Sequence, residues 1–146
     1  MSGAVTPVDL DRLPLGPRLR LTAEVVATYL RVRWLMRRDE PEQVVRALRA
    51  RAAAARPPQA LERENEVFVA WRLARAMEKV LARLPSDSRC LFSSLTLIGL
   101  LERRGVEQRL LIAVRPRPFA AHAWVEVEGE AVLPDADPGY ERIVEL

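Results

Sequence analysis

From residue 19 to 38 the apolar side chains Leu21, Val25, Val26, Tyr29, Leu30, Val32, Leu35 and Met36 recur at three- and four-residue intervals. That spacing predicts a helix with one buried face. Pro41 stands where a second helix would start, since the first helical position needs no N–H donor, and Val44, Val45 and Leu48 lead into an alanine run ending at Ala55. Pro57 and Pro58 break this helix. A third stretch, 61–81, carries Val67, Trp71, Ala74, Met77, Val80 and Leu81 at helical spacing and stops at Pro85. Ser86, Asp87 and Ser88 then offer side-chain acceptors to the free amides of a new helix. That fourth helix is strongly apolar, with Leu91, Leu95, Ile98 and Leu101 along it, and Arg103, Arg104 and Gly105 close it.

Beyond residue 105 the period changes from helical to two. Residues 108–114, 121–128 and 130–135 read as strands, with Gly129 at a tight turn, and Ile143 and Val144 suggest a short last strand. Helices followed by an antiparallel sheet make an α+β fold. Its 146 residues fit a single domain: a lead-in over 1–17 (with Pro7, Pro14, Gly16 and Pro17), a helical part over 18–85, and a helix plus sheet over 86–146.

Composition narrows the function classes. A hydrophobic fraction of 49% is enough to build a core without disulfide staples. No apolar run approaches a membrane span and no signal-peptide pattern opens the chain, so a soluble, cytoplasmic protein is expected. Of the 23 basic residues only Lys79 is lysine, and 20 acids are interspersed among the arginines. The net charge of +3 is therefore expected to reflect solvated helix faces more than a phosphate-binding surface, which would need clustered cations with aromatics between them. There is one cysteine, Cys90, and one histidine, His122, which excludes an internal disulfide and a zinc site of several Cys or His ligands.

Cys90 falls in the first turn of the apolar helix. Free amides and the positive end of the helix dipole favour negative charge there, a sound seat for an attacking sulfur. A small buried thiol with no chemistry is the plain alternative. His122 sits in Phe119-Ala-Ala-His-Ala-Trp-Val-Glu126, where alternation puts His122, Trp124 and Glu126 on one face. The small neighbours leave room around the imidazole, though a hydrogen-bonded core histidine fits as well. Asp135 and Asp137 follow the third strand, and Asp137-Pro138 also reads as a turn.

Together, a helix cysteine, a strand histidine and an acid at the end of the next strand follow the order of a Cys-His-Asp triad. Cys90-Leu-Phe-Ser-Ser-Leu95, the histidine segment and the acidic strand end resemble the leader peptidase family of lasso-peptide biosynthesis, within the transglutaminase-like (papain-like) cysteine proteases. The resemblance covers about residues 86–135, with a helical lead-in of the usual kind, and points to the stand-alone protease form. It implies Cys90 as nucleophile, His122 as general base and Asp135 as orienting acid, with no metal and no cofactor. It also implies a precursor (leader) peptide as substrate, a separate leader-recognition protein as partner, and a lasso cyclase acting on the freed amine. The Cys90 N–H is the natural oxyanion donor, with Trp124 and the 86–88 loop as candidates for a second. Ser94 matches the family pattern too, and a bond back to the Cys90 carbonyl is its ordinary helical habit. Two further readings remain: another transglutaminase-like amide hydrolase or acyl transferase, and a non-catalytic arginine-rich binding module.

Strand register separates the two aspartates. If Glu128-Gly129 is a two-residue turn, Val127 faces Glu130, Trp124 faces Leu133 and His122 faces Asp135. Opposed side chains share a face, within carboxylate–imidazole reach. A three-residue loop, or a bulge, would move Asp135 away and hand the role to Asp137.

Overall fold

The computed structural model describes residues 14–55, 63–83, 90–134 and 139–146. Among them the chain forms α1 (Leu15–Leu35), α2 (Pro41–Ala55), α3 (Arg63–Ala82) and α4 (Cys90–Glu102). Four strands follow: β1 (Arg109–Pro116), β2 (Phe119–Val127), β3 (Glu130–Ala131) and β4 (Glu141–Glu145). The fold is α+β, helices first and an antiparallel sheet after.

Helix α1 starts at Leu15, inside the stretch expected to be a lead-in. The Pro14 carbonyl accepts the Arg18 N–H at 3.0 Å. Pro17 lies in the first turn, where amides have no intrahelical acceptor, so its missing N–H leaves the helix intact. The helix surfaces use arginine in a repeated way: Arg33, Arg38, Arg72 and Arg75 each lie over the ring of Tyr29, Trp34, Phe68 or Trp71, one turn earlier. Three of these i,i+4 pairs lie within one helix, and Arg38 reaches back to Trp34 from the turn after α1.

Helix α4 is the axis of the core. Every residue from Ser94 to Leu101 is buried, against α1, α2, α3 and β2. Gly99 lets α1 come close, because a Cβ there would lie 2.7 Å from the Thr28 methyl. Charged pairs fasten the far end of α4: Arg104 forks onto Glu24 at 2.7 and 3.0 Å, and Arg49 reaches both Glu102 and the Gln108 carbonyl at 3.2 Å. Among the described residues no helix is long and apolar enough to cross a membrane.

The sheet runs β3-β2-β1-β4, all antiparallel. One face, with Leu110, Ala123, Val125 and Val127, is buried in the core. The other carries Leu111 and Ala113 of β1, His122, Trp124 and Glu126 of β2, and Arg142 of β4, as the pairings Leu111↔Trp124, Ala113↔His122 and Ala113↔Arg142 require.

Residues 128 and 129 form the expected two-residue turn, with Val127 facing Glu130 and Glu126 facing Ala131. Both turn residues are left-handed (φ 52° at Glu128, 79° at Gly129), the geometry whose twist suits a tight hairpin. Strand β3, expected to reach residue 135, stops at Ala131. One further ladder bond, Val132 N–H to the Val125 carbonyl at 3.0 Å, keeps the expected register. The chain then bends at residues 132 and 133. The physical reason is Pro134, which stands where the next ladder amide is due and has no N–H to give.

Candidate active site

The break in the β2–β3 ladder frees two backbone groups. Continued in the same register, the ladder would set residue 134 opposite Ala123 and join the Ala123 N–H to the 134 carbonyl. Neither group makes that bond. The Ala123 N–H instead donates to the Sγ of Cys90 at 3.3 Å. The Pro134 carbonyl instead meets the Nε2 of His122 at 2.6 Å. The helix cysteine and the strand histidine are thus fastened to opposite sides of the same unfinished pair.

These contacts set the chemistry each side chain can do. A carbonyl only accepts, so Nε2 of His122 carries the proton, and in the neutral ring Nδ1 is the basic nitrogen. The imidazole stacks on Trp124, centroids 5.9 Å apart and planes 18° from parallel. Trp124 is held in turn: only 2% exposed, it donates its indole N–H to Glu126 at 3.1 Å, and Arg142 covers the ring at 5.6 Å while pairing with Glu126 at 3.4 Å. The ring of His122 therefore rests on a fixed platform. Cys90 is half-buried where α4 begins, and the amides of a helix's first turn have no intrahelical acceptors. The sulfur thus sits at a helix start and accepts the Ala123 N–H at 3.3 Å. No direct thiol–imidazole hydrogen bond forms among the described residues; the two side chains meet through the 122–123 peptide.

Asp135 and Asp137 lie outside the described residues, as does the 86–88 loop. Trp124 is buried beside His122 and is not free as an oxyanion donor, because Glu126 already takes its N–H. Ser94 does not bond back to the Cys90 carbonyl: its buried Oγ has no partner among the described residues, whereas Thr96 makes such a bond, to the Phe92 carbonyl at 2.7 Å. No group of acidic, cysteine or histidine side chains able to hold a metal occurs among the described residues. The site groups that a side-chain reading overlooked are the Pro134 carbonyl and the Ala123 amide. The signal for both was the proline opposite Ala123 in the hairpin register.

A cysteine at the start of a buried helix, set against a histidine strand of an antiparallel sheet, is a cysteine-centred site carried by an α+β core. The sequence model of the transglutaminase-like superfamily matches residues 26–146, and the chain belongs to that superfamily. Over 45 residues it is 42% identical to the microcin J25-processing protein McjB of Escherichia coli. That match spans 31% of this chain and 22% of the relative's length. No solved structure matches.

Proposed function

We propose that this protein is a cysteine peptidase that removes the leader from a ribosomally made lasso-peptide precursor. The observation that carries the reading is the pair of contacts at the broken ladder, which holds the Cys90 sulfur beside the 122–123 peptide and fixes His122 with Nδ1 as its base nitrogen. Superfamily membership and the likeness to a microcin-processing protein support it. The whole chain works as one unit, its helical part a scaffold for α4 and the sheet.

In this reading the Cys90 sulfur gives up its proton to His122 and attacks the carbonyl carbon of the last leader residue. The new C–S bond forms as the oxygen takes negative charge, which the backbone N–H of Cys90 stabilises. Collapse breaks the C–N bond, and His122 protonates the leaving amine, the new N-terminus of the core peptide. Water, deprotonated by His122, then hydrolyses the thioester and returns the sulfur. Asp135 stabilises the imidazolium, with Asp137 as the alternative acid. No step uses a metal or cofactor. The freed amine goes to a separate cyclase, and a separate recognition protein brings in the leader by raising its concentration near Cys90.

The test is incubation with the precursor peptide encoded beside the gene, with its recognition protein, followed by mass spectrometry. Wild type should release leader and core, faster with the recognition protein than without. Cys90→Ala should release neither while keeping its circular dichroism spectrum. Full activity in Cys90→Ala would refute the reading. Transfer of the acyl group to an added amine, in place of hydrolysis, would move the protein to the acyl transferases.

A further inference from the structure

We infer that the outward face of α1 is a docking surface for a partner protein that presents an acidic, apolar helix. It rests on the peptidase reading only for the partner to be tested, the recognition protein. Helix α1 has two apolar faces. Val25, Tyr29 and Val32 turn into the core. On the opposite side Leu19, Ala23, Ala27, Leu30 and Trp34 fall within an arc of about 80° at 3.6 residues per turn. All five are exposed, with Leu19, Leu30 and Trp34 open to 59%, 56% and 52%. Single surface leucines are ordinary, but an unbroken apolar row along a helix whose other side already fills the core marks a contact surface.

The charge around the row selects the partner. Arg20 and Arg31 follow one flank and Arg33 the other, and Arg38 lies over the Trp34 ring at 4.7 Å. The one acid of α1, Glu24, is turned away to the end of α4, where Arg104 forks onto it at 2.7 and 3.0 Å and Arg103 stands at 3.8 Å. Arg20, Arg31 and the neighbouring Arg51 of α2 pair with no acid among the described residues. Burial first, and then the like charges of Arg51 and Arg103, push the Arg31 pKa below its ordinary value, as expected of a cationic cluster without a counter-charge. A second copy of this chain would set the same arginines against these, so self-pairing is repulsive. Carboxylates on a partner would satisfy them, and guanidinium groups suit carboxylates well.

The shape of the row favours a helix over a lipid surface. Ala23 and Ala27 lie between Leu19 and the Leu30–Trp34 pair, a shallow saddle that admits the side-chain ridge of a crossing helix. Tryptophan and arginine are also the side chains that contribute most at protein interfaces. Arg31 and Arg103 are neighbours, and Arg103 follows the last turn of α4, about 20 Å along the axis from Cys90 at 1.5 Å per residue. A partner seated at Arg31 therefore leaves the cysteine end of α4 uncovered.

The test is isothermal titration calorimetry of the full chain with the recognition protein encoded beside the gene, with leader cleavage followed in parallel. Arg31→Glu and Leu30→Glu should each weaken binding by about tenfold or more and remove the acceleration that the recognition protein gives. Unassisted cleavage and the melting temperature should stay at their wild-type values. Arg31→Lys should keep most of the binding, and raising salt from about 50 to about 500 mM should weaken it for wild type. Unchanged binding in both Arg31→Glu and Leu30→Glu overturns the surface and leaves the peptidase reading standing. Absence of binding by wild type overturns it as well, and sedimentation of wild type with phosphatidylcholine–phosphatidylglycerol vesicles would then assign the face to a lipid surface. If wild type cuts no precursor, the peptidase reading falls, and the calorimetric comparison of wild type with the two variants still decides the surface.

Discussion

Toward its C-terminal end β2 is tied off by a regular turn: Glu128 and Gly129 take left-handed backbone, Val127 faces Glu130, and Val125 and Val127 are fully buried. Toward its other end the same strand loses its neighbour at Pro134, and the groups so released bind a sulfur and an imidazole. The first end spends every backbone group on the ladder and has nothing left for chemistry. The second leaves the ladder unfinished and keeps an amide and a carbonyl for the site. One strand thus serves as core at one end and as the support of a cysteine and a histidine at the other, and a single proline marks the change.

Changes at the unfinished end should act on turnover. His122→Ala should lower kcat/KM for leader cleavage by about 10²–10⁴, the usual worth of a positioned acid–base group, with the melting temperature little changed. Asp135→Asn should reduce turnover more than Asp137→Asn does, by about ten- to a hundredfold, since the carboxylate acts through the imidazolium. The reverse ranking would assign the acid to Asp137. Pro134→Ala restores an N–H where the ladder needs one and lets Ala123 and residue 134 pair. We expect about a tenfold loss in kcat/KM with an unchanged or raised melting temperature, because His122 and Cys90 lose their partners as the sheet gains one. Full activity in Pro134→Ala would dissolve the contrast between the two ends.

At the regular end the expectation inverts. Gly129→Ala forces a Cβ into left-handed backbone (φ 79°), at a cost of about 1–2 kcal/mol. Thermal melting should shift down by roughly 2–8 °C, while kcat/KM of the folded protein stays at the wild-type value. A loss of turnover without a loss of stability would mean that this turn also shapes the site.

How far the sequence could be read follows the same division. The 128–129 turn and the register it imposes were legible, because a glycine between alternating apolar residues leaves few choices. The helices of the first half were legible from periodicity, except that α1 takes in Leu15 to Pro17, where a proline in the first turn resembled a break. The placement of Cys90 and His122 followed from their elements. What side-chain patterns did not carry was backbone chemistry: that β3 would end at Ala131, and that the Pro134 carbonyl would be the acceptor on His122. Alternation put Trp124 and Glu126 on the face of His122, but the Arg142 that also pairs with Glu126 is brought alongside by β4, far along the chain.

The central claim is that Cys90 forms a covalent bond with the leader. The most direct measurement is intact-mass spectrometry of wild type mixed with precursor and recognition protein, quenched in acid during turnover, then digested to locate any adduct. The account predicts a mass increase equal to the leader less one water, carried by the peptide containing Cys90 and cleared by hydroxylamine. Leader release with no adduct on Cys90 under any quench time, and undiminished in Cys90→Ala, would contradict it.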